Sequence, residues 1–134
     1  VRLREGVLFP TARAELNPEA GRSIALLASV LAKLPNEVVV EGHTDSVPIT
    51  KAPFASNWEL SVARSYSVVE RLLAEGVPPD RLVTAGYGEF RPIAGNDSPA
   101  GRSANRRIEL VILRCRPGPL ADPETDCRTR RGPG

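Results

Sequence analysis

The sequence predicts an α+β domain, a two-layer sandwich in which helices cover one face of a mixed four-stranded sheet. Three observations predict it. Short β-branched or apolar runs alternate with two long amphipathic segments along residues 1–113. The final connection, "FRPIAGNDSPAGRSAN", holds no long helix, so the last strand cannot return parallel to its neighbour. The remaining residues, 114–134, change composition abruptly and form a separate tail.

"VRLREGVLF" supplies a first strand ending at Phe9. "NPEAGRSIALLASVLAKLP" predicts a helix, with Asn17 as N-cap, Pro18 in the first turn and Pro35 at the end. Ile24, Leu27, Leu31 and Leu34 recur at three and four and give it one apolar face. "EVVVEGH" is a second, buried strand, because three successive valines favour a pleated surface. Ser56 and Glu59 form a capping box that starts the second helix, and Gly76 before "VPPD" stops it. At 100° per residue Trp58, Val62, Tyr66, Val69, Leu72 and Leu73 share an arc, the expected sheet-facing side. "RLVTAGYGE" and "RRIELVILR" complete the strands.

Eighteen basic and sixteen acidic residues give a net charge of +2, much of it in the tail. A near-neutral folded part lacks the footprint of a nucleic-acid binder. The tail, "RCRPGPLADPETDCRTRRGPG", carries five arginines and four prolines with almost nothing to bury. Cys115 and Cys127 sit at opposite ends of its Pro-rich stretch and read as a disulfide made in an oxidising compartment, the alternative being two free thiols. Such a bridge would restrict the unfolded chain by on the order of 3 kcal/mol at most. Two thiols titrated under denaturing, non-reducing conditions would refute it. The chain starts without Met and shows neither a signal peptide nor an apolar run long enough for a membrane span. It reads as a fragment of a longer protein.

Charged chemistry gathers where the second strand ends. "EGHTD" delivers Asp45 to the carboxyl edge of the sheet, where open α/β sheets bind ligands. Asn57, Leu60 and Arg64 form a stripe on the flank of the following helix, pointing off the core. One carboxylate, one guanidinium and one amide suit a zwitterionic amino-acid head group. The plainer alternative is an Asp45–Arg64 salt bridge on the rim. His43 with Asp45 lacks the third ligand a metal needs, so neither metal nor cofactor is expected. A carboxylate pair of Asp45 with Glu41 or Glu59 would suit glycoside cleavage by a hydrolase, the catalytic alternative to binding.

"EGHTD", "SNWELSVARSYSVVERLL", "RLVTAGYGEFRPI" and "GRSANRRIEL", in this order, resemble the OmpA-like (OmpA/MotB) peptidoglycan-binding domain from about Leu8 to Leu113. The resemblance implies a βαβαβ-type sandwich that binds, without catalysis, the diaminopimelate of uncrosslinked peptide stems. On the matching motifs it implies a site of Thr44, Asp45, Asn57, Leu60 and Arg64, with Asn105, Arg106 and Arg107 of "NRR" beside the pocket. It further implies a periplasmic location, attachment of the full-length protein to a membrane, and compatibility with a homodimer. The long insert between Asp45 and Arg64 is similar to the flagellar stator branch, although other envelope proteins share it. A motor-linked anchor and a static outer-membrane or lipoprotein anchor therefore both remain open. Pro10, where many members have an aspartate, removes a backbone donor and puts any anion contact from that loop in doubt.

Overall fold

A computed structural model describes residues 1–49 and 53–113. The tail, with Cys115 and Cys127, lies outside the described residues. Four strands, β1 (Arg2–Arg4), β2 (Val38–His43), β3 (Leu82–Gly86) and β4 (Arg107–Ile112), form one sheet in the order β1-β4-β2-β3. β2 and β3 run parallel across the crossover helix, while β4 is antiparallel to both β2 and β1. The expected mixed sheet is thus present, and it follows from the connections: β1 to β2 and β2 to β3 each carry a long helix, whereas β3 to β4 does not.

Helices α1 (Glu5–Leu8), α2 (Ala20–Leu31), α3 (Asn57–Ala74) and α4 (Pro99–Asn105) complete the domain. The core lies between α2, α3 and one sheet face, where Ile24, Leu31, Val38, Val40, Val68, Leu72, Ile108 and Leu110 are all buried.

Three expectations about elements are corrected. The first strand stops at Arg4, and residues 5–8 turn into a short helix. The turn brings Leu8 and Phe9 into the core, where both are buried. Asn17 does not cap α2; its N–H bonds the Leu8 carbonyl at 2.6 Å and its own carbonyl accepts from Ala20, so it serves a turn before the helix. Part of the last connection is helical, because Ser98 Oγ accepts the Gly101 N–H at 3.0 Å and Pro99 opens α4. The Ser56 cap is present as expected, with Ser56 Oγ accepting the Glu59 N–H at 3.2 Å, and the Glu59 carboxylate accepts from Ala55 N–H at 2.6 Å.

The sheet-facing side of α3 is the largest correction. Trp58, Val62 and Tyr66 are about half exposed, and the buried stripe is Leu60, Ser61, Arg64, Ser65, Val68 and Leu72. Of the expected arc, Val69 and Leu72 are buried. Backbone proximity decides the face. Gly42 and Gly86, paired across β2 and β3, leave no room for a Cβ beneath Ser61 and Val62. Only small residues fit such a contact, so serines occupy it and satisfy their hydroxyls. Ser65 donates to the Val40 carbonyl at 2.5 Å, and Ser61 donates to Trp58 O at 2.9 Å while accepting from Gly88 N–H at 3.0 Å.

Candidate functional site

β2 ends at His43, and the chain turns at once. Asp45 Oδ1 accepts the Val47 N–H at 3.0 Å, a side-chain turn that fixes the carboxylate at the sheet edge. Thr44 N–H donates to the Gly88 carbonyl at 2.9 Å, tying this edge to the turn after β3. Asn57, at the start of α3, donates through Nδ2 to the Val47 carbonyl at 3.1 Å and braces the same loop. Thr44, Asp45, Asn57, Leu60 and Arg64 all line one open cleft of about 370 Å³. The structure therefore brings five of the expected residues together.

It does not bring Asn105 and Arg107, which are corrected. Asn105 is fully buried: Oδ1 accepts from Ile93 and Ala94 N–H, and Nδ2 donates to the Ala94 carbonyl and Asn96 Oδ1. It shapes the loop before α4. Arg107 lies on the helix-free face of the sheet, donating to Glu109, Asn105 O and Arg91 O. Period-two alternation sends Arg107 to one side of β4 and leaves the preceding Arg106 for the cleft.

Arg106 is the residue of "NRR" that does enter the cleft, and Glu5 is the residue the sequence reading missed. Arg106 Nη1 meets Asp45 Oδ2 at 2.6 Å, and its Nε meets Glu5 Oε2 at 2.6 Å. Glu5 Oε1 in turn takes Arg64 Nη2 at 2.6 Å. The cleft thus holds an alternating chain of charges, Asp45, Arg106, Glu5 and Arg64. Asp45 and Arg64 have separate partners, so the simple rim bridge between them is not what forms. Arg106 stood in the "NRR" motif and was legible there. Glu5 was not, because a strand through Phe9 would have carried it elsewhere.

Arg64 does not point off the core as expected; it is 3% exposed. Its Nε donates to the Arg13 carbonyl at 2.8 Å, and its guanidinium carbon lies 5.0 Å from the centroid of the Phe9 ring. Burial lowers its pKa from the ordinary arginine value despite the attraction of Glu5. Arg106 is pushed the other way: burial opposes its charge, but Asp45 and Glu5 together outweigh that and raise its pKa. Arg102 also lines the cleft, and Ala12, at φ 58, turns the rim opposite.

A second charged group lies on the helix-free face. His43 Nε2–H donates to Glu41 at 3.1 Å, its ring stacks on Tyr87 at 5.2 Å, and its Nδ1 is buried without a hydrogen-bond partner among the described residues. Glu109, 3.5 Å from His43 Nε2, is held by Arg2 and Arg107, each at 2.9 Å. These carboxylates are committed to ion pairs and histidine orientation. Burial lowers the His43 pKa, assisted by Arg107 and opposed by Glu41 and Glu109. Its folded pKa lies below the unfolded value of about 6.5. The unfolded state therefore binds more protons below that pH, and the stability from neutral His43 is lost as pH falls through this range. The urea midpoint is expected to be flat above about pH 7 and to decline below about pH 6.5. His43→Phe should remove the decline in that interval.

The fold and cleft define a small α+β domain with paired charges at the carboxyl edge of its central strand. A model of the OmpA family matches residues 8–106. The chain belongs to that family. Motility protein B of Bacillus subtilis is 32% identical over 115 residues, covering 84% of this chain and 44% of that protein. Outer membrane porin F of Pseudomonas fluorescens is 39% identical over 113 residues, covering 84% and 33%. The periplasmic domain of Helicobacter pylori MotB superposes with a TM-score of 0.75 at 35% identity, covering 82% of this chain and 78% of that one. The cell wall anchor of the T6SS from Pseudomonas aeruginosa superposes with a TM-score of 0.78 at 35% identity, covering 81% and 76%. The chain spans less than half the length of the two curated relatives.

Proposed function

We propose that this domain binds the peptide stem of peptidoglycan without cleaving it and anchors a larger envelope protein to the wall. The observation that carries the reading is the convergence of two carboxylates and two guanidinia in one cleft at the end of β2. Diaminopimelate ends in an ammonium and a carboxylate on one carbon. Asp45 accepts the ammonium, and the Arg64 and Arg106 guanidinia receive the carboxylate. Asn57 and Thr44 hold the loop that presents Asp45, and Leu60 supplies apolar wall against the ligand's methylene chain. Membership of the OmpA family and the likeness to a cell wall anchor support the reading. A periplasmic setting, a membrane-attached full-length protein and a homodimer fit the same role, as either a motor-linked or a static anchor.

The carboxylate pairs expected of a hydrolase do not come together among the described residues. Glu41 serves His43 on the helix-free face and Glu59 serves the α3 cap, so neither stands beside Asp45. The test is co-sedimentation with purified sacculi. The protein is expected to pellet with them, to be displaced by free diaminopimelate but not by lysine, and to release no soluble fragments. Accumulating reducing ends or peptides would overturn the non-catalytic reading, and indifference to diaminopimelate would overturn the ligand.

A further inference from the structure

Among the described residues, Glu5 is the one charged cleft residue that no recognised motif of the sequence contains. It reaches the cleft because the first strand ends early and α1 turns the chain inward. Its carboxylate is bridging: Oε1 on Arg64 and Oε2 on Arg106, both at 2.6 Å, with the side chain 14% exposed. Those are the guanidinia that a ligand carboxylate would seek. Asp45 Oδ2, which a ligand ammonium would seek, is held by the other end of Arg106 at 2.6 Å. An incoming zwitterion cannot simply add to this chain of charges; it must exchange partners with it.

We infer that Glu5 is an internal stand-in for the ligand's carboxylate, competing with it for Arg64 and Arg106 and so holding down the affinity of the cleft for a free carboxylate but not for a carboxamide. The inference rests on the reading that the ligand ends in a zwitterion. Glu5 lies between Arg64 and Arg106 and, with Asp45, balances their charges, so that two neighbouring cations do not face one another unpaired. On binding, the ligand's carboxylate takes over that neutralisation, its ammonium takes Asp45, and Arg106 swings from Asp45 towards the new anion. A carboxamide cannot replace Glu5, because releasing Glu5 would leave the buried Arg64 without a counter-charge, so the amide binds only with Glu5 in place. Glu5 therefore costs affinity for the acid and none for the amide.

The test is Glu5→Gln, which keeps the shape and removes the charge. A tripeptide ending in diaminopimelate and its carboxamide counterpart are titrated calorimetrically into both proteins. The acid is expected to bind the variant about tenfold more tightly than wild type, the amide about equally, so the ratio between them widens by about tenfold. A residue that only holds the arginines in place would weaken both ligands on removal, and that result, or no change in either, overturns the inference. Sodium acetate, followed by NMR at the Nε–H of Arg64 and Arg106, isolates Glu5 from the question of the natural ligand. Acetate should perturb both signals in the variant at about a tenth of the concentration wild type needs. If it does so while neither tripeptide binds, Glu5 is a stand-in and the peptidoglycan reading fails. If acetate acts alike on both proteins, the inference fails whatever the tripeptides do. Should Glu5→Gln not fold, wild type decides: the carboxyl ¹³C shift of Glu5 must move when the acid tripeptide saturates the protein, and a stationary signal overturns the exchange.

Discussion

Gly42→Ala is expected to destabilise the domain by about 3 kcal/mol, near the upper end of overpacking effects. The new Cβ would fall within the Ser61 carbonyl oxygen and 2.8 Å from its carbon, both backbone atoms of α3. No rotamer change relieves a clash with backbone, so α3 must rise from the sheet. Lifting it would loosen Val68 and Leu72 in the core and shift Arg64 from the Arg13 carbonyl. Stability and ligand affinity should therefore fall together. Gly86→Ala meets Val62 and Ser61 at 2.5–2.8 Å and should behave similarly but less severely, because two of its three close contacts are side-chain atoms. Gly6→Ala meets nothing within 4 Å and is the control, neutral or stabilising by up to about 1 kcal/mol. Urea unfolding of the three variants checks this, with equal midpoints for Gly42→Ala and Gly6→Ala as the result that would refute it.

Removing one charge of the cleft should have the largest effect on binding. Asp45→Ala strips the acceptor for the ligand ammonium, and Arg64→Ala strips a donor to its carboxylate. A hydrogen bond to a charged group contributes roughly 1.5–3 kcal/mol, so each variant should weaken a diaminopimelate peptide by about ten- to a hundredfold. Arg64→Lys should restore only part of this, since an ammonium cannot fork onto a carboxylate or stay paired to both Glu5 and Arg13. Arg64→Ala should also lower stability, because this side chain is buried and fills space against Phe9. Asp45→Ala should lower it less, because it loses the Val47 N–H bond and one partner of Arg106, which keeps Glu5. Arg71, half exposed and paired with Glu75 at 2.8 Å two turns along α3, is the control. Calorimetry on the four variants reads the result; uniform affinity across them would reduce the cleft charges to surface ion pairs.

Much of the site was legible because its chemistry is carried by short motifs. A strand of β-branched residues ending in Thr44-Asp45, and a capped helix with Asn57, Leu60 and Arg64 at three and four spacing, meet in one cleft for purely local reasons. Arg106 and Arg107 were harder. Adjacent residues of a strand face opposite ways, and which one enters the cleft depends on the register of β4 against β2, where Arg107 pairs with His43. The motif contains both arginines and is silent on the choice.

By itself the sequence determined the strands, the two long helices, the mixed direction of the sheet and the end of β2 as the place for charge. These follow from local terms: β-branching, helix periodicity, capping and the length of each connection. Tertiary structure alone decided which face of α3 is buried and which charges are paired. Hydrophobicity put Trp58, Val62 and Tyr66 against the sheet, yet Gly42 and Gly86 bring the sheet so close that Ser61 and Ser65 take the buried contact, with Val62 beside Gly86 and about half exposed. That rotation of the helix carries Arg64 inward, where burial demands a counter-charge, and Glu5 supplies it from the far end of the chain. Steric exclusion between distant backbones and the cost of burying an unpaired charge are both nonlocal, and no periodicity within one segment encodes either.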